Sequence, residues 1–456
     1  MTRIIPALAI GLLPTMAFGQ VKPKRSAPAA NQVVNQQVLG VLKQAVLLVA
    51  QLPAPDKGSD DTRVRLLTDL GELQWRSGDR VSARKAFEEA LLQAKQLKLS
   101  LDDMKGGSAV VQTVATGHAR ARDIAGLQPM QSLLTDFKDP DGYGGKPRWS
   151  EVLKELATAQ AEAGELKAAQ ATLAKIEDEW TRRFASTDLM RILVKRGDIP
   201  NAQATLEKVD AGHRDYATQV MVSALADAGQ LPEAIAMIST LEAPVETSGI
   251  SLFAPPNYKA GAQGHIAKAR AKAGDIAGAM KTIAMMPDRE DKADALSAIV
   301  FAQRKAGDAA GAERSYQQCR SIRADVEKNH FDLSNAATNG MNAAQLAGRA
   351  GKWAEARKIA EDGFKDGSLF GRFALNGLVY AYEEAGDYAG ALEAVKLAKE
   401  PGTFFYGIGR AQAADGDLVG ALTWASAETS PKWKASALIG IARGVLDRAG
   451  KATSAH

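Results

Sequence analysis

Cysteine and histidine are scarce in this chain of 456 residues, which narrows the chemistry it can carry. The one cysteine, Cys319, cannot form an intramolecular disulfide, and its place in a helical pattern predicts a buried packing thiol rather than a nucleophile. The five histidines are separated by tens of residues, so no two of them have metal-ligand spacing. We therefore expect no disulfide, no zinc site and no cofactor.

Motifs for catalysis are also missing. No local signature of serine, cysteine or paired-carboxylate catalysis is present. The Gly-Asp stretches at Gly274, Gly307 and Gly386 have no preceding strand and no Lys-Ser/Thr partner, so they are not phosphate-binding loops. The acidic stretch 136–142 lacks the ligand ladder of a calcium loop and is typical of a turn. These absences predict that the protein is not an enzyme.

Aromatic residues and blocks of like charge are few. Aromatics make up 6% of the chain, strand signals are nearly absent, and the net charge of +4 is spread over 57 basic and 53 acidic side chains. Nothing in this distribution requires nucleic acid as a partner. The 41 glycines and the apolar content of 46% favour a fold of many closely packed helices.

What the chain does contain is a repeat. Nine times a glycine is followed five residues later by an alanine, an arrangement that marks a stacked array. The glycine suits the left-handed residue that ends one helix, and the aspartate that follows it in six copies suits the N-cap of the next. The copies begin at Gly78, Gly164, Gly197, Gly229, Gly274, Gly307, Gly351, Gly386 and Gly416, and the six aspartates are Asp79, Asp198, Asp275, Asp308, Asp387 and Asp417.

The spacing of the copies is uneven. A degenerate copy with Arg122 at the glycine place divides the longest gap, and a last half-copy at Gly450 is expected to cap the C-terminal end. We predict about ten helix pairs and 21 or 22 helices. Extra residues fall at 136–150, at 244–258 and in a longer second helix around 315–335. Such insertions are where specificity tends to lie, the alternative being neutral drift.

The first clear copy resembles a tetratricopeptide repeat (TPR). It has Leu70-Gly71 in the first helix, Gly78 at the turn, and Ala83, Phe87 and Ala90 in the second helix. The copy at Gly386 matches in the same way through Leu378, Tyr382, Gly386, Asp387, Tyr388, Ala391, Val395 and Ala398. The family's early tryptophan is absent. The resemblance implies an all-α fold, a right-handed superhelical solenoid of stacked antiparallel helix pairs, over about residues 62–450.

The N-terminal region reads as a targeting segment followed by a cap. Residues 1–19 are similar to a secretory signal peptide cleaved near Gly19, the alternative being an uncleaved anchor, and no later stretch is expected to reach membrane-spanning length. Residues 20–32 are predicted to be a disordered basic leader, 33–61 a capping helix with its loop, and 451–456 a tail. This organisation predicts a periplasmic or secreted protein.

The concave face offers the best candidate site. Five residues on the first helices of two late repeats are predicted to line a peptide-binding groove, because aromatic, amide and guanidinium groups are frequent at binding hot spots. They are Phe373, Asn376, Tyr380, Tyr406 and Arg410. The aromatic members could instead pack between repeats.

The resulting hypothesis is a non-catalytic scaffold that binds a peptide or partner protein. The alternatives are a helical-repeat enzyme acting on cell-wall glycan and a structural envelope component that self-associates through its end helices.

Overall fold

The structure is a computed structural model that describes residues 27–53, 61–100, 106–135, 145–241, 257–287, 290–329, 333–365, 369–398 and 401–454. Within these ranges the chain forms 22 α-helices, one short 3-10 helix (Ala211–His213) and no strand. The all-helical class and the number of helices agree with the sequence prediction. The proposed signal peptide and the acidic stretch 136–142 lie outside the described residues, as does most of the insertion at 244–258.

The helices follow one another through short turns. The first eleven are α1 (Ala27–Gln51), α2 (Thr62–Arg76), α3 (Arg80–Ser100), α4 (Gly106–Ala121), α5 (Ile124–Thr135), α6 (Gly145–Glu162), α7 (Leu166–Leu173), α8 (Glu179–Lys195), α9 (Ile199–Glu207), α10 (Arg214–Asp227) and α11 (Leu231–Ile238). The others are α12 (Tyr258–Lys272), α13 (Ile276–Ala284), α14 (Glu290–Lys305), α15 (Ala309–Asn329), α16 (Leu333–Arg349), α17 (Trp353–Lys365), α18 (Leu369–Ala385), α19 (Tyr388–Val395), α20 (Gly402–Asp415), α21 (Leu418–Ala427) and α22 (Pro431–Ser454).

The turn chemistry read from the sequence is confirmed. All nine repeat glycines have positive φ, and Arg122, at the degenerate copy, is the one non-glycine residue among those described that shares this conformation. The side chains of all six predicted N-cap aspartates accept a hydrogen bond from the backbone N–H three residues on. The repeat alanines are buried, so each turn brings two helices into close contact.

The even-numbered helices form the inner layer of the molecule. From α2 to α22 each packs on the next even-numbered helix, whereas each odd-numbered helix from α3 to α21 packs on the even-numbered helices beside it. Consecutive odd-numbered helices make no extensive contact among the described residues. The even-numbered helices therefore follow the shorter circumference. We call their centre-facing side the inner wall.

The two ends of the chain meet. Helix α22 packs on α1 and α2, and one hydrophobic core joins Val38, Leu42 and Ala45 of α1 to Leu438 and Ala442 of α22. The helical chain is thus closed on itself. The N-terminal helix was predicted to cap the first repeat, but it lies mainly against the last helix and covers the seam between the two ends.

The ends differ from the sequence reading in further ways. Helix α1 begins at Ala27, so part of the predicted disordered leader is helical. Gly450 lies inside α22, so the predicted turn at this glycine is absent. The helix continues to Ser454, so residues 451–454 belong to it rather than to a tail. Because α1 and α2 cover the apolar face of α22, this terminal helix needs no further cap.

One helix is a candidate membrane span by length and composition, although Lys43 interrupts it and the sequence expectation concerned only spans without charges. The stretch Gln32–Gln51 of α1 is long and apolar enough to cross a membrane, although a core helix of a soluble protein or a signal sequence passes the same test. In this fold Val38, Leu42 and Ala45 of that stretch lie in the core.

Candidate functional site

A buried ion pair joins the two ends of the chain at the inner wall. Arg443 of α22 donates through Nη2 to Glu72 Oε2 of α2 at 2.7 Å, and the Glu72 side chain is 1% exposed. Burial alone would raise the pKa of Glu72, but the guanidinium groups of Arg443 and Arg76 lower it below its usual range. Glu72 therefore stays ionised, and the pair links helices that are far apart in sequence.

Asp69 lies one turn earlier on α2, and neighbouring cations neutralise its charge less well than that of Glu72. Its carboxylate is 3.9 Å from Arg443 Nη2, and its side chain is 30% exposed. Burial among the helices raises the pKa of Asp69 to about 6; Arg443 opposes the rise, repulsion by Glu72 adds to it, and Arg120 and Arg65 also oppose it. The Arg443 guanidinium lies closer to Glu72 than to Asp69, so Glu72 is its main partner. Asp69 consequently has no short ion pair.

A polar cavity opens beside Asp69. It has a volume of about 330 Å³ and lies between α2 and α4. Arg120 at its border donates from Nε to Glu155 of α6 at 2.7 Å, so this cation already has a carboxylate partner. The remaining lining is mainly hydroxyl and amide groups, from Thr68, Gln112, Thr113 and Thr116.

The structure brings two of the predicted site residues to this seam. Tyr406 of α20 is half-buried, and burial raises its pKa to about 12 while Arg443 opposes the shift. Arg410, one turn later, is 50% exposed and donates from Nε to Asp447 of α22 at 2.7 Å. A Cβ on Gly440 of α22 would come within 2.1 Å of the Tyr406 carbonyl oxygen, so glycine is needed where the two helices approach. This close packing fixes Tyr406 beside the seam.

The other three predicted residues lie on the neighbouring helix α18. Phe373 and Asn376 are half-buried, whereas Tyr380 is 48% exposed. Their spacing puts them on one helical face that continues toward Glu383 and Glu384. The five predicted residues thus occupy two adjacent helices of the inner wall. Their binding role stays a prediction.

Glu383 is a second carboxyl without a short ion pair. The adjacent Glu384 is engaged by Arg349 of α16 at 2.7 and 2.5 Å, but no hydrogen bond or ion pair is found for the Glu383 carboxylate within the described part of the chain. Burial raises the pKa of Glu383 to about 7, and repulsion by Glu384 adds to the shift. A Cβ on Gly407 of α20 would lie 3.7 Å from Glu383 Oε1, so the carboxyl borders a position without a side chain.

Sequence reasoning missed most of this cluster. A signal did exist in the position six residues before the repeat glycine, which holds a charged or aromatic residue in five copies. These residues are Glu72, Arg191, Lys268, Tyr380 and Arg410. The pairing of Glu72 with Arg443 had no such signal, since it depends on closure of the chain. We call the inner faces of α18, α20, α22, α2 and α4 the seam wall.

An aromatic row was also missed, on the inner faces of α8, α10 and α12, which we call the aromatic wall. Trp180 and Phe184 have ring centroids 4.9 Å apart, Phe184 and Tyr216 are 5.9 Å apart, and Tyr216 and Tyr258 are 6.1 Å apart, all edge to face. Trp180 is 62% exposed at one end of the row. Such contacts link three successive inner helices.

Comparison with known proteins assigns no family. No protein-family model matches this chain, and no curated protein is significantly similar to it in sequence. Within the described residues, no group of three histidine, cysteine, aspartate or glutamate side chains could hold a metal ion. Cys319 is buried, and its Sγ donates to the Ala293 carbonyl oxygen at 3.1 Å.

Proposed function

We propose that the protein is a non-catalytic interaction scaffold that binds an extended peptide, or an extended segment of a partner protein, against the seam wall. In this proposal the helix pairs form a TPR-like, right-handed superhelical solenoid whose ends have closed. The N-terminal segment directs export to the periplasm or the exterior. The ligand is held by side chains that the fold positions before binding, which lowers the entropic cost of association.

One observation carries the proposal. Tyr380 and Arg410 are both about half exposed, lie on neighbouring inner helices, and occupy the same place relative to their turn glycines. Tyrosine and arginine side chains are both enriched at the hot spots of protein interfaces. The surrounding side chains are held by ion pairs and close helix packing, so the surface is preorganised.

A photocrosslinking experiment tests this function. A photoreactive amino acid replaces Tyr380 in one variant and Val419, an exposed residue of the odd-numbered helix α21, in a matched control. Irradiation in cells should give a defined protein adduct at Tyr380 and none at Val419. The adduct should be lost when Arg410→Ala is added. Equal adducts at both positions, or none at either, would contradict binding at the seam wall.

A further inference from the structure

The arginines of the inner wall around the seam are already neutralised. Arg349 is paired with Glu384, Arg410 with Asp447, Arg443 with Glu72 and Arg120 with Glu155, at distances of 2.5–2.7 Å. Each pair connects two successive even-numbered helices. These cations serve the contacts between helices, so their charge is largely neutralised and attracts an anionic ligand only weakly, while the exposed side of Arg410 remains open to contact with a peptide.

Two carboxyls of the seam wall are left without such a partner. Asp69 and Glu383 are the two seam-wall carboxyls described above that have no short ion pair. Asp69 borders the cavity between α2 and α4, and Glu383 lies one turn from the exposed Tyr380. An incoming cation would meet a carboxylate at both places, and a tyrosine ring at one of them attracts cations as well.

We propose that the ligand of the seam wall is a basic, extended polypeptide segment, with one cationic side chain on Asp69 and another on Glu383. This inference rests on the proposed function and specifies its partner chemistry. Charge complementarity argues against an acidic segment, which would have to break the existing arginine pairs or lie beside two uncompensated carboxyls.

The fold sets the spacing of the two cations. Three helix spacings, from α18 through α20 and α22 to α2, span roughly 25 Å at typical interaxial distances. An extended chain covers that distance in about eight residues. The matching segment therefore carries two basic residues about eight positions apart, with Tyr406 and Arg410 beneath its middle.

The groups around the two carboxyls also predict how binding depends on pH. Asp69 faces Arg443 from α22, Arg120 from α4, Tyr406 from α20, and Arg65 and Glu72 on its own helix. Glu383 faces Glu384 on its own helix and Tyr388 from α19.

Because the pKa values of Asp69 and Glu383 are raised to about 6 and 7, both carboxyls lose charge between pH 8 and 5.5. Lysine stays charged over this range.

A designed peptide tests the inference with the full chain. The probe is a fluorescent eleven-residue peptide with lysine at positions 2 and 10 in a glycine, serine and threonine background. Matched peptides carry glutamine or glutamate at both positions, or two adjacent lysines. Fluorescence anisotropy should show that the spaced lysine peptide binds tightest, about tenfold better than the glutamine peptide. Its affinity should fall about tenfold from pH 8 to 5.5.

Matched variants separate this site from general attraction to an acidic surface. Asp69→Asn with Glu383→Gln should weaken binding of the spaced lysine peptide at least tenfold. Glu361→Gln with Glu393→Gln removes the same charge from odd-numbered helices α17 and α19 and should leave binding within twofold. The inference is overturned if the two double variants lose affinity equally, or if the glutamate peptide binds tighter. It is also overturned if sedimentation shows that a second copy of the chain occupies the wall.

The result is distinguishable from failure of the proposed function. If the lysine peptide does not bind but Tyr380 still forms a defined crosslinked adduct, the seam wall binds a partner and only the basic chemistry is wrong. If both experiments fail, the scaffold proposal fails as well.

Discussion

The seam wall and the aromatic wall are built on the same helical repeat but carry different chemistry. On α8, α10 and α12 the rings of Trp180, Phe184, Tyr216 and Tyr258 contact one another. On α22 and α2 the corresponding link is the buried pair between Arg443 and Glu72. Neighbouring repeats are thus held by apolar ring contacts in one region and by ion pairs in the other.

The difference matters most where α22 meets α2. The aromatic wall joins helices that are close in sequence, whereas the seam joins helices from opposite ends of the chain. A charged pair requires its partner and gives geometric specificity, while an apolar contact accepts many neighbours. The ion pair between Arg443 and Glu72 therefore specifies that α22 packs on α2, and the apolar packing of α1 stabilises this contact.

The largest effect is expected from breaking the charged link. Arg443→Ala leaves the buried Glu72 with only Arg76, whose longer contact of 3.3 Å does not replace the lost pair, and should cost about 3–5 kcal/mol. On the aromatic wall, Arg191→Ala breaks a partly exposed pair with Asp188 at 2.8 Å and should cost less than about 1 kcal/mol. The shift in the midpoint of urea unfolding measures both effects.

A rescue variant makes the first prediction sharper. Adding Glu72→Gln to Arg443→Ala removes the buried charge that has lost its main partner and should recover part of the lost stability. Equal losses for Arg443→Ala and Arg191→Ala would mean that the seam pair has no special role.

A smaller loss is expected from the helix that covers the seam. Leu42 of α1 is buried in the core shared with α22, so Leu42→Ala should cost about 2–5 kcal/mol. Leu47 on the exposed side of the same helix provides the control, and Leu47→Ala should change stability by less than about 0.5 kcal/mol. Hydrogen exchange should show lost protection first in α22. If α10 loses protection equally, the ring unfolds as one unit and the two walls are not independent.

Substitutions on the aromatic wall should lower stability less than Arg443→Ala or Leu42→Ala. Phe184→Ala removes two edge-to-face contacts and should cost about 1–2 kcal/mol, measured by thermal unfolding. Trp180→Ala removes one contact at an exposed end of the row and should cost less. Neither substitution should change binding of the basic peptide, and a large change in binding would show that the aromatic wall takes part in ligand recognition.

The repeat turns could be predicted from sequence because their chemistry is local. A left-handed residue followed by a capping aspartate spans only a few positions, and even the degenerate turn at Arg122 was found by comparison with its neighbours. The burial of the repeat alanines and of Cys319 followed from the same periodicity. Local propensity and helical spacing are sufficient for these features.

Closure of the chain could not be predicted in this way. The contact between Glu72 and Arg443 depends on the accumulated rotation of ten helix pairs, and small errors in each would separate the ends. Tyr406 and Arg410 were selected as groove residues, but their position beside Arg443 and Asp447 became visible only with α22 in place. The same limit explains why the packing of α1 on α22 could not be predicted.

A last comparison concerns pH and sets Glu383 against Asp188 of the aromatic wall. The pKa of Glu383 is about 7 in the folded chain and 4.5 in the reference state, so folding takes up a proton between these values, and the carboxyl lowers stability as pH rises through that window. Glu383→Gln should therefore raise the melting temperature at pH 8 and leave it unchanged at pH 4.5.

Burial raises the pKa of Asp188 too, but Arg191 opposes the shift, so Asp188→Asn should give a smaller change of the same sign. Circular dichroism melts at both pH values measure the difference, and a Glu383→Gln chain that is no more stable at pH 8 would mean that a cation already neutralises this carboxyl.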